Sequence, residues 1–319
     1  MKKMIAIVAG DPNSINSEII AKAWKKIKVK KNLFLIGNYQ LIKKQLNQIG
    51  MSIPLFKIDL IKHYKNDGRL YVLDVPFKFK SIFKNKSNDT KNYVLKSLDI
   101  AHNLAFKKKI RGFINAPIDK KIFNNKYLGV TEYLSKKNKK KNKEVMMIFN
   151  KELAVVPLTT HLEIKDVTGK IKPSLLKTKI TTLHKSYKKL FNKKPKIVVL
   201  GLNPHNSENH SSSIENKIIK PVVNSLIKLD FNIKGPFPAD TIFSNQKKFN
   251  YNVVVGMYHD QVLAPFKALY GYNAINITLG LKYIRISPDH GIARDIVGLN
   301  KANPISLINA INFLNKIND

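Results

Sequence analysis

Short runs of β-branched and other apolar residues alternate along the chain with longer stretches in which apolar residues recur every three or four positions. The short runs are typical of buried strands. The longer stretches, such as the one that contains Leu95, Leu98 and Ala101, are typical of amphipathic helices. This alternation predicts an α/β fold with a mainly parallel sheet and helices on both faces.

The pattern predicts the elements as follows. We expect strands at Ile5–Ala9, Leu33–Ile36, Leu70–Val75, Gly112–Asn115, Val145–Phe149, Ala154–Leu158, Ile197–Leu200, Val253–Gly256 and Ile275–Thr278. We expect helices at Glu18–Ile27, Gln40–Ile49, Thr90–Phe106, Lys172–Leu190, Ser213–Leu229 and Ile305–Ile317.

Polar residues gather directly after the predicted strands, where the ligands of parallel sheets bind. Three of the eight histidines occupy such positions, namely His161, His205 and His259. A neutral imidazole is the commonest transition-metal ligand, and three imidazoles from separate loops can form an open catalytic site. Hydrogen bonds that merely cap these loops are the alternative, and the residues alone leave it open. Asp260 and Gln261 are better candidates to support His259 than to bind a metal themselves.

A second group of residues is suited to binding anions. Lys267, Asn276 and Arg285 lie in one C-terminal stretch, and Arg285 has apolar neighbours in "YIRISPDHG". An arginine in such a context usually has a fixed partner. That partner is either a bound phosphate or carboxylate, or a structural carboxylate such as Asp289 or Asp295.

Thr131, in "LGVTEYL", lies where a helix begins, so it either caps that helix or meets a phosphate. The chain contains neither a Gly-x-Gly-x-x-Gly sequence nor a Walker-type phosphate loop. If a dinucleotide binds, it does not use the usual Rossmann fingerprint.

Composition narrows the class of protein. The 319 residues are 44% hydrophobic and include no cysteine. This length suits one large or two ordinary domains. Disulfides, thiolate metal sites and a cysteine nucleophile are excluded. No apolar run approaches the roughly 20 residues that span a bilayer. We therefore expect a cytoplasmic protein without a membrane partner.

The net charge of +36 suggests nucleic acid at first sight. However, only four of the 57 basic residues are arginine, and the lysines are spread along the whole chain. Arginine is the preferred residue for bidentate contacts to bases and phosphates. This pattern favours a solvated surface over a nucleic-acid partner, although the positive field would attract anionic substrates.

Eight motifs in order cover nearly the whole chain: "AGDPNSINSEI", "NAPIDK", "GVTEYL", "VMMIF…LAVVPLTTHLEIKDV", "GLNPHNSE", "GPFPADTIF", "MYHDQVLAPFK" and "INITLGLKYIRISPDHG". Together they resemble the 4-hydroxythreonine-4-phosphate dehydrogenase family of vitamin B6 (pyridoxal 5'-phosphate) biosynthesis. The resemblance implies a homodimer whose fold is similar to that of isocitrate and isopropylmalate dehydrogenases. It implies two α/β/α subdomains with the active site in the cleft between them. We place the first at residues 1–125 plus 290–319, and the second at 126–289.

The resemblance also implies the chemistry. Members oxidise 4-hydroxythreonine 4-phosphate with NAD or NADP, and the β-keto acid product then loses CO₂. A divalent metal (Zn, Mg or Co) activates the substrate hydroxyl, and its ligands by motif match are His161, His205 and His259. One of these ligands is expected from the partner subunit, because the family's metal site lies at the dimer interface. The substrate-binding residues by the same match are Thr131, at the phosphate, with Lys267, Asn276 and Arg285. Asp240, in "PAD", matches an acidic position near the site and is the candidate catalytic residue.

The chain departs from the family pattern at several positions. Val130 stands where the family usually has a substrate-binding histidine, and Ser14 and Asn16 stand at positions that are commonly glycine. Two alternatives therefore remain open. One is a paralogous dehydrogenase of another phosphorylated hydroxy acid, such as 4-phosphothreonate or 4-phosphoerythronate. The other is a non-catalytic protein that binds polyanions.

Overall fold

A computed structural model describes residues 3–123, 127, 129–139, 143–245 and 250–317. The chain divides into two compact units. The first unit comprises Met1–Leu134 and Leu281–Asp319, and the second comprises Ser135–Gly280. Residues 124–126, where one predicted domain boundary falls, lie outside the described residues. The other predicted boundary, between 289 and 290, lies beyond the point at which the chain returns to the first unit.

The first unit contains a six-stranded parallel sheet. Its strands lie in the order β3-β4-β2-β1-β5-β12. Their bounds are β1 Ile5–Val8, β2 Leu33–Gly37, β3 Leu55–Ile58, β4 Leu70–Asp74, β5 Gly112–Asn115 and β12 Ile284–Pro288. Every residue of β1, β2 and β5 is buried, as expected for parallel strands that are covered on both faces.

The second unit contains six strands in the order β11-β6-β7-β10-β8-β9. Their bounds are β6 Val145–Phe149, β7 Ala154–Pro157, β8 Ile197–Leu200, β9 Ile233–Phe237, β10 Val253–Gly256 and β11 Ile275–Leu279. Only β6 runs antiparallel to its neighbours in this set. The predicted α/β class with mainly parallel sheets is confirmed in both units.

Ten α-helices lie among the described residues. They are α1 Asn16–Lys26, α2 Tyr39–Gln48, α3 Ser87–Phe106, α4 Val130–Lys137, α5 Ile164–Lys170, α6 Pro173–Phe191, α7 Lys220–Ile227, α8 Ala239–Ile242, α9 His259–Tyr270 and α10 Ile305–Lys316. Within the described part of the chain, no helix has both the length and the apolar character needed to cross a membrane.

The nine predicted strands all form, with ends that shift by at most one residue. The sequence pattern missed β3, β9 and β12. In β3, Phe56 and Lys57 are exposed, so no apolar run marks the strand. The strand β9 contains Gly-Pro, and β12 contains Arg285, and both features disfavour a strand prediction. The helix predicted at Ser213–Leu229 is in fact a π-helical turn, Glu215–Ile219, followed by α7.

Gly256 ends β10 at a point where no side chain fits. A Cβ atom there would overlap Val262 Cγ1 and lie 2.9 Å from Gln261 Oε1. Val262 is fully buried and therefore cannot move aside cheaply. Gly256 thus permits the first turn of α9 to pack directly against the end of β10.

We expect Gly256→Ala to lower the free energy of unfolding by about 1–3 kcal/mol, because the new methyl group overpacks this contact. Gly169→Ala is the matched control in the same unit. Gly169 lies in α5 with nothing within 4 Å of its Cβ position, so alanine should leave stability unchanged or raise it by up to ~1 kcal/mol. Urea unfolding followed by far-UV circular dichroism measures both effects. Equal effects of the two substitutions would contradict the packing argument.

Candidate functional site

The three candidate metal ligands follow three neighbouring parallel strands of the second unit. His161 comes after β7, His259 directly after β10, and His205 after β8, and β10 is paired with both of the other strands. Asp240 follows β9, the next strand along, and is exposed. Because parallel strands end at one edge of a sheet, this order explains why four separate sequence motifs supply side chains to one region.

His161 and His259 come together, with ring centroids 6.0 Å apart. Such a separation is within reach of two imidazoles that share one ion, since metal–nitrogen bonds are about 2.0–2.1 Å long. The side chain of His259 is 36% exposed, and His161 and His205 are also exposed. Among the described residues of one chain, no three His, Asp or Glu side chains form a group that could hold a metal ion. One copy therefore assembles a pair of candidate ligands and leaves His205 outside such a group.

Local contacts orient His259. It is the first residue of α9, and its Nδ1 lies 2.7 Å from Asp260 Oδ1. A carboxylate on Nδ1 leaves Nε2 as the atom that can bind a metal, and such outer partners usually fix the ring of a ligand histidine. Gln261 acts on the backbone instead. Its Oε1 accepts from Met257 N at 2.7 Å, and its Nε2 donates to Gly201 O at 2.7 Å.

His205 begins an unusual turn. His205, Asn206, Ser207 and Glu208 all have left-handed backbone conformations, with φ between 48° and 56°. This conformation costs residues other than glycine roughly 1–2 kcal/mol each. Strain of this kind tends to be concentrated where a side chain must be presented in one particular way.

Glu215 is the main partner of this turn. Its carboxylate is completely buried and accepts hydrogen bonds from Leu202 N and Asn203 N, both at 2.8 Å. Asn203 Nδ2, at 3.2 Å, and Ser207 Oγ, at 3.4 Å, also donate to it. Burial acts to raise the pKa of the Glu215 carboxyl, but the hydrogen bonds outweigh burial and hold the pKa below its ordinary value. Glu215 is therefore an anion in the folded protein at neutral pH.

Two further candidate substrate residues lie in the second unit. Lys267 is on α9, eight residues after His259, and its Nζ lies 5.0 Å from the ring centroid of Tyr272. Asn276 is on β11, and its buried Oδ1 accepts no hydrogen bond from the described residues. A buried acceptor without a hydrogen bond lowers the stability of a protein by about 1–3 kcal/mol. A ligand that donates a hydrogen bond to this oxygen would remove that cost.

Arg285 lies in the first unit, on β12, and is only 3% exposed. Its Nε donates to Asn115 Oδ1 at 2.6 Å, and its Nη1 donates to Thr131 Oγ1 at 3.3 Å. Burial lowers the pKa of Arg285 to about 10, while the charge of Glu132 acts in the opposite direction. The guanidinium therefore keeps its charge at neutral pH. Thr131 lies in the first turn of α4, so this contact joins two of the predicted anion-binding residues.

Asn16, at a position where the resemblance leads us to expect glycine, closes the loop after β1. Its Nδ2 donates to the carbonyl oxygens of Ala9 at 2.9 Å, Pro117 at 2.8 Å and Asp11 at 3.3 Å. Gly10 allows this approach, since a Cβ there would lie 2.5 Å from Asn16 Nδ2. The substituted side chain therefore links the loops that follow β1 and β5.

Sequence reasoning missed two residues that support the candidate site. Asn115 ends a strand in the motif "NAPIDK", and its position was a usable signal, although its partner lies 170 residues away. Glu215 carried no signal, because a glutamate within a predicted helix is ordinary. Only the fold shows that it faces inwards.

Comparison with known proteins relates the chain to one family. A model of the family described as pyridoxal phosphate biosynthetic protein PdxA matches residues 29–314. The 4-hydroxythreonine-4-phosphate dehydrogenase of Sulfurihydrogenibium sp. (strain YO3AOP1) is 36% identical over 96% of each chain. The enzyme of the same name from Aquifex aeolicus (strain VF5) is 34% identical over 100% of this chain and 99% of its own.

Solved structures extend the similarity to the fold. The crystal structure of 4-hydroxythreonine-4-phosphate dehydrogenase from Klebsiella pneumoniae matches with a TM-score of 0.86 at 28% identity, over 98% of both chains. A branched-chain phosphotransacylase from Enterococcus faecalis V583 shares the fold alone, with a TM-score of 0.52 at 13% identity over 98% of both chains. Because the family model and the more similar relatives span most of the chain, the protein belongs to the pyridoxal phosphate biosynthetic protein PdxA family.

Proposed function

We propose that this protein is a metal- and NAD-type-cofactor-dependent dehydrogenase that oxidises 4-hydroxythreonine 4-phosphate in pyridoxal phosphate biosynthesis. The observation that carries the proposal is the placement of His161, His259 and His205 after adjacent parallel strands in a chain of this family. The immediate product is a β-keto acid, which decarboxylates readily.

The residues present fit a divalent metal. The His161–His259 pair and the exposed His205 offer imidazole nitrogens, and Asp260 leaves Nε2 of His259 available. A nitrogen donor set suits zinc or cobalt better than magnesium, which prefers oxygen ligands. When bound, such an ion supplies Lewis-acid polarisation of an alcohol or carbonyl oxygen, and the dinucleotide supplies the hydride acceptor.

The chain's own charges suit an anionic substrate. Arg285, fixed by Asn115 and Thr131, is a buried cation that can pair with a phosphate or carboxylate. In the second unit, Lys267 and Asn276 offer a cation and an amide that can bind anionic and hydroxyl groups. Asp240 is the candidate acceptor for the hydroxyl proton, because it follows the strand beside the one that leads to His205.

We further propose that the active protein is a homodimer in which the metal site takes histidines from both copies. This arrangement accounts for the absence of a three-ligand group among the described residues of a single chain. A site completed by a second copy also makes His205 useful outside the His161–His259 pair.

The proposal is tested with a substrate panel. Purified protein with added Zn²⁺, Co²⁺ or Mg²⁺ should reduce NAD or NADP in the presence of 4-hydroxythreonine 4-phosphate, measured as absorbance at 340 nm. Stripping the metal with a chelator should abolish the reaction, and returning it should restore it. Activity with 4-phosphothreonate or 4-phosphoerythronate alone would overturn the proposed substrate.

We expect His259→Ala to abolish both zinc binding and turnover, since an open catalytic zinc site typically uses three protein ligands. His63→Ala, which removes an exposed histidine of the first unit, is the control and should change neither. Calorimetric zinc titration and the 340 nm assay measure the two effects. Retained turnover in His259→Ala would remove His259 from the mechanism.

The same variant tests the shared site. Mixed dimers of His259→Ala and His205→Ala copies contain one site with every ligand intact if these two histidines come from different copies. Unfolding and refolding the two inactive proteins together should then restore about a quarter of wild-type turnover, because half of the dimers carry one good site among two. A site built within one copy would give no recovery.

A second candidate function is oxidation of a related phosphorylated hydroxy acid, and Val130 is the observation that favours it. Val130 begins α4 beside Thr131, and it packs against the apolar core of the first unit. It cannot donate the hydrogen bond that a histidine would.

Val130→His should lower KM for 4-hydroxythreonine 4-phosphate by about tenfold or more if the pocket still serves that substrate, because a good hydrogen bond to a charged group contributes roughly 1.5–3 kcal/mol. Val130→Thr is the control of similar size. Steady-state kinetics on both variants measure the change. An unchanged or higher KM in Val130→His would favour the paralogous substrate.

A further inference from the structure

The turn at His205 holds four consecutive residues other than glycine in the left-handed conformation. Asparagine and histidine occur in the left-handed region more often than most residues, but Ser207 and Glu208 have no such advantage. Glycine at these positions, or another backbone conformation, would avoid this strain. Something in the second unit must therefore keep this turn in place.

Glu215 supplies that restraint. Its buried carboxylate accepts hydrogen bonds from Leu202 N and Asn203 N immediately before the turn, and from Ser207 Oγ within it. It reaches them from the π-helical segment Glu215–Ile219, a rare form that often occurs at functional sites. One side chain thus closes the segment on both sides of His205.

A second fastening holds the same turn from the other side. Asn206 is buried, and its Nδ2 donates to Pro236 O at 3.2 Å. Its amide packs on Gly201, where any Cβ would overlap Asn206 Oδ1. Gly201 O in turn accepts from Gln261, two residues after His259. The turn of His205 is therefore tied to the strand end that carries His259.

We infer that Glu215 is a positioning residue for the metal site, which holds the left-handed turn so that His205 is presented as a ligand before any metal arrives. This inference rests on the proposed function, in which His205 binds the metal. Glu215 itself does not contact the metal, because its carboxylate is buried and engaged with the loop.

Zinc affinity, measured by calorimetric titration with Zn²⁺ alone, tests the inference. Glu215→Gln keeps the shape of the side chain but removes its charge and one acceptor oxygen. We expect the affinity to fall by about tenfold or more, as is usual when a partner that orients a ligand is altered. Glu208→Gln, an exposed change in the same turn, should leave the affinity at the wild-type value.

Relief of the strain separates positioning from general stability. Adding Ser207→Gly and Glu208→Gly to Glu215→Gln removes the backbone penalty at the two positions of the turn where the left-handed conformation is least favoured. We expect this triple variant to recover most of the lost zinc affinity, even if its melting temperature does not recover. Gly201→Ala, which keeps Glu215 but displaces Asn206, should weaken zinc binding as well, and it serves as the second probe if Glu215→Gln folds poorly.

The zinc affinities of the variants distinguish the positioning role of Glu215 from the assignment of His205 as a metal ligand. If His205→Ala weakens zinc binding and Glu215→Gln does not, the inference is wrong and the ligand assignment stands. A loss in Glu215→Gln that the two glycines fail to recover also overturns the inference. If His205→Ala leaves zinc affinity unchanged, the ligand assignment falls, and the positioning role of Glu215 falls with it.

Discussion

The parallel pairing of β10 with both β7 and β8 is the constraint on which the candidate site depends. These three strands are buried along their whole length, so their positions are set by packing. Since parallel strands share a direction, the segments that follow them emerge at one edge. His161, His259 and His205 are brought to the same region by this arrangement, although 98 residues of chain separate the first from His259. The packing of the core therefore sets where the three candidate ligands leave the sheet.

The strand ends need more than packing, because loops that leave a sheet are free to move unless their backbone groups are engaged. Gln261 uses both ends of its amide for this purpose, accepting from Met257 N and donating to Gly201 O. It fastens the loop after β10 to the loop after β8. The neighbouring residue, Asp260, hydrogen-bonds to the ring of His259 instead. Of these two consecutive polar residues, Gln261 therefore holds the backbone of the loops and Asp260 holds the side chain of His259.

Much of this organisation could be predicted from the sequence. Buried parallel strands are nearly continuous apolar runs, which is why the strands β7, β8 and β10 were predicted correctly. The strands β9 and β12 escaped detection because Pro236 and Arg285 interrupt their patterns. The helix α9 escaped because it starts on the polar cluster of His259, Asp260 and Gln261, which resembles a loop. Asn115 and Glu215 act across the fold, so no local pattern could reveal their partners.

Arg285 shows how this lysine-rich chain accommodates a buried positive charge. Most of its basic residues are lysines, whose flexible charges remain hydrated. Burying a guanidinium is costly unless donors find acceptors, and Asn115 and Thr131 provide acceptors that carry no charge. Asn115 orients the guanidinium without adding a charge, whereas the carboxylate of Glu132 acts on it electrostatically and favours its charged form. The buried cation is therefore fixed by neutral acceptors and kept charged by a nearby carboxylate.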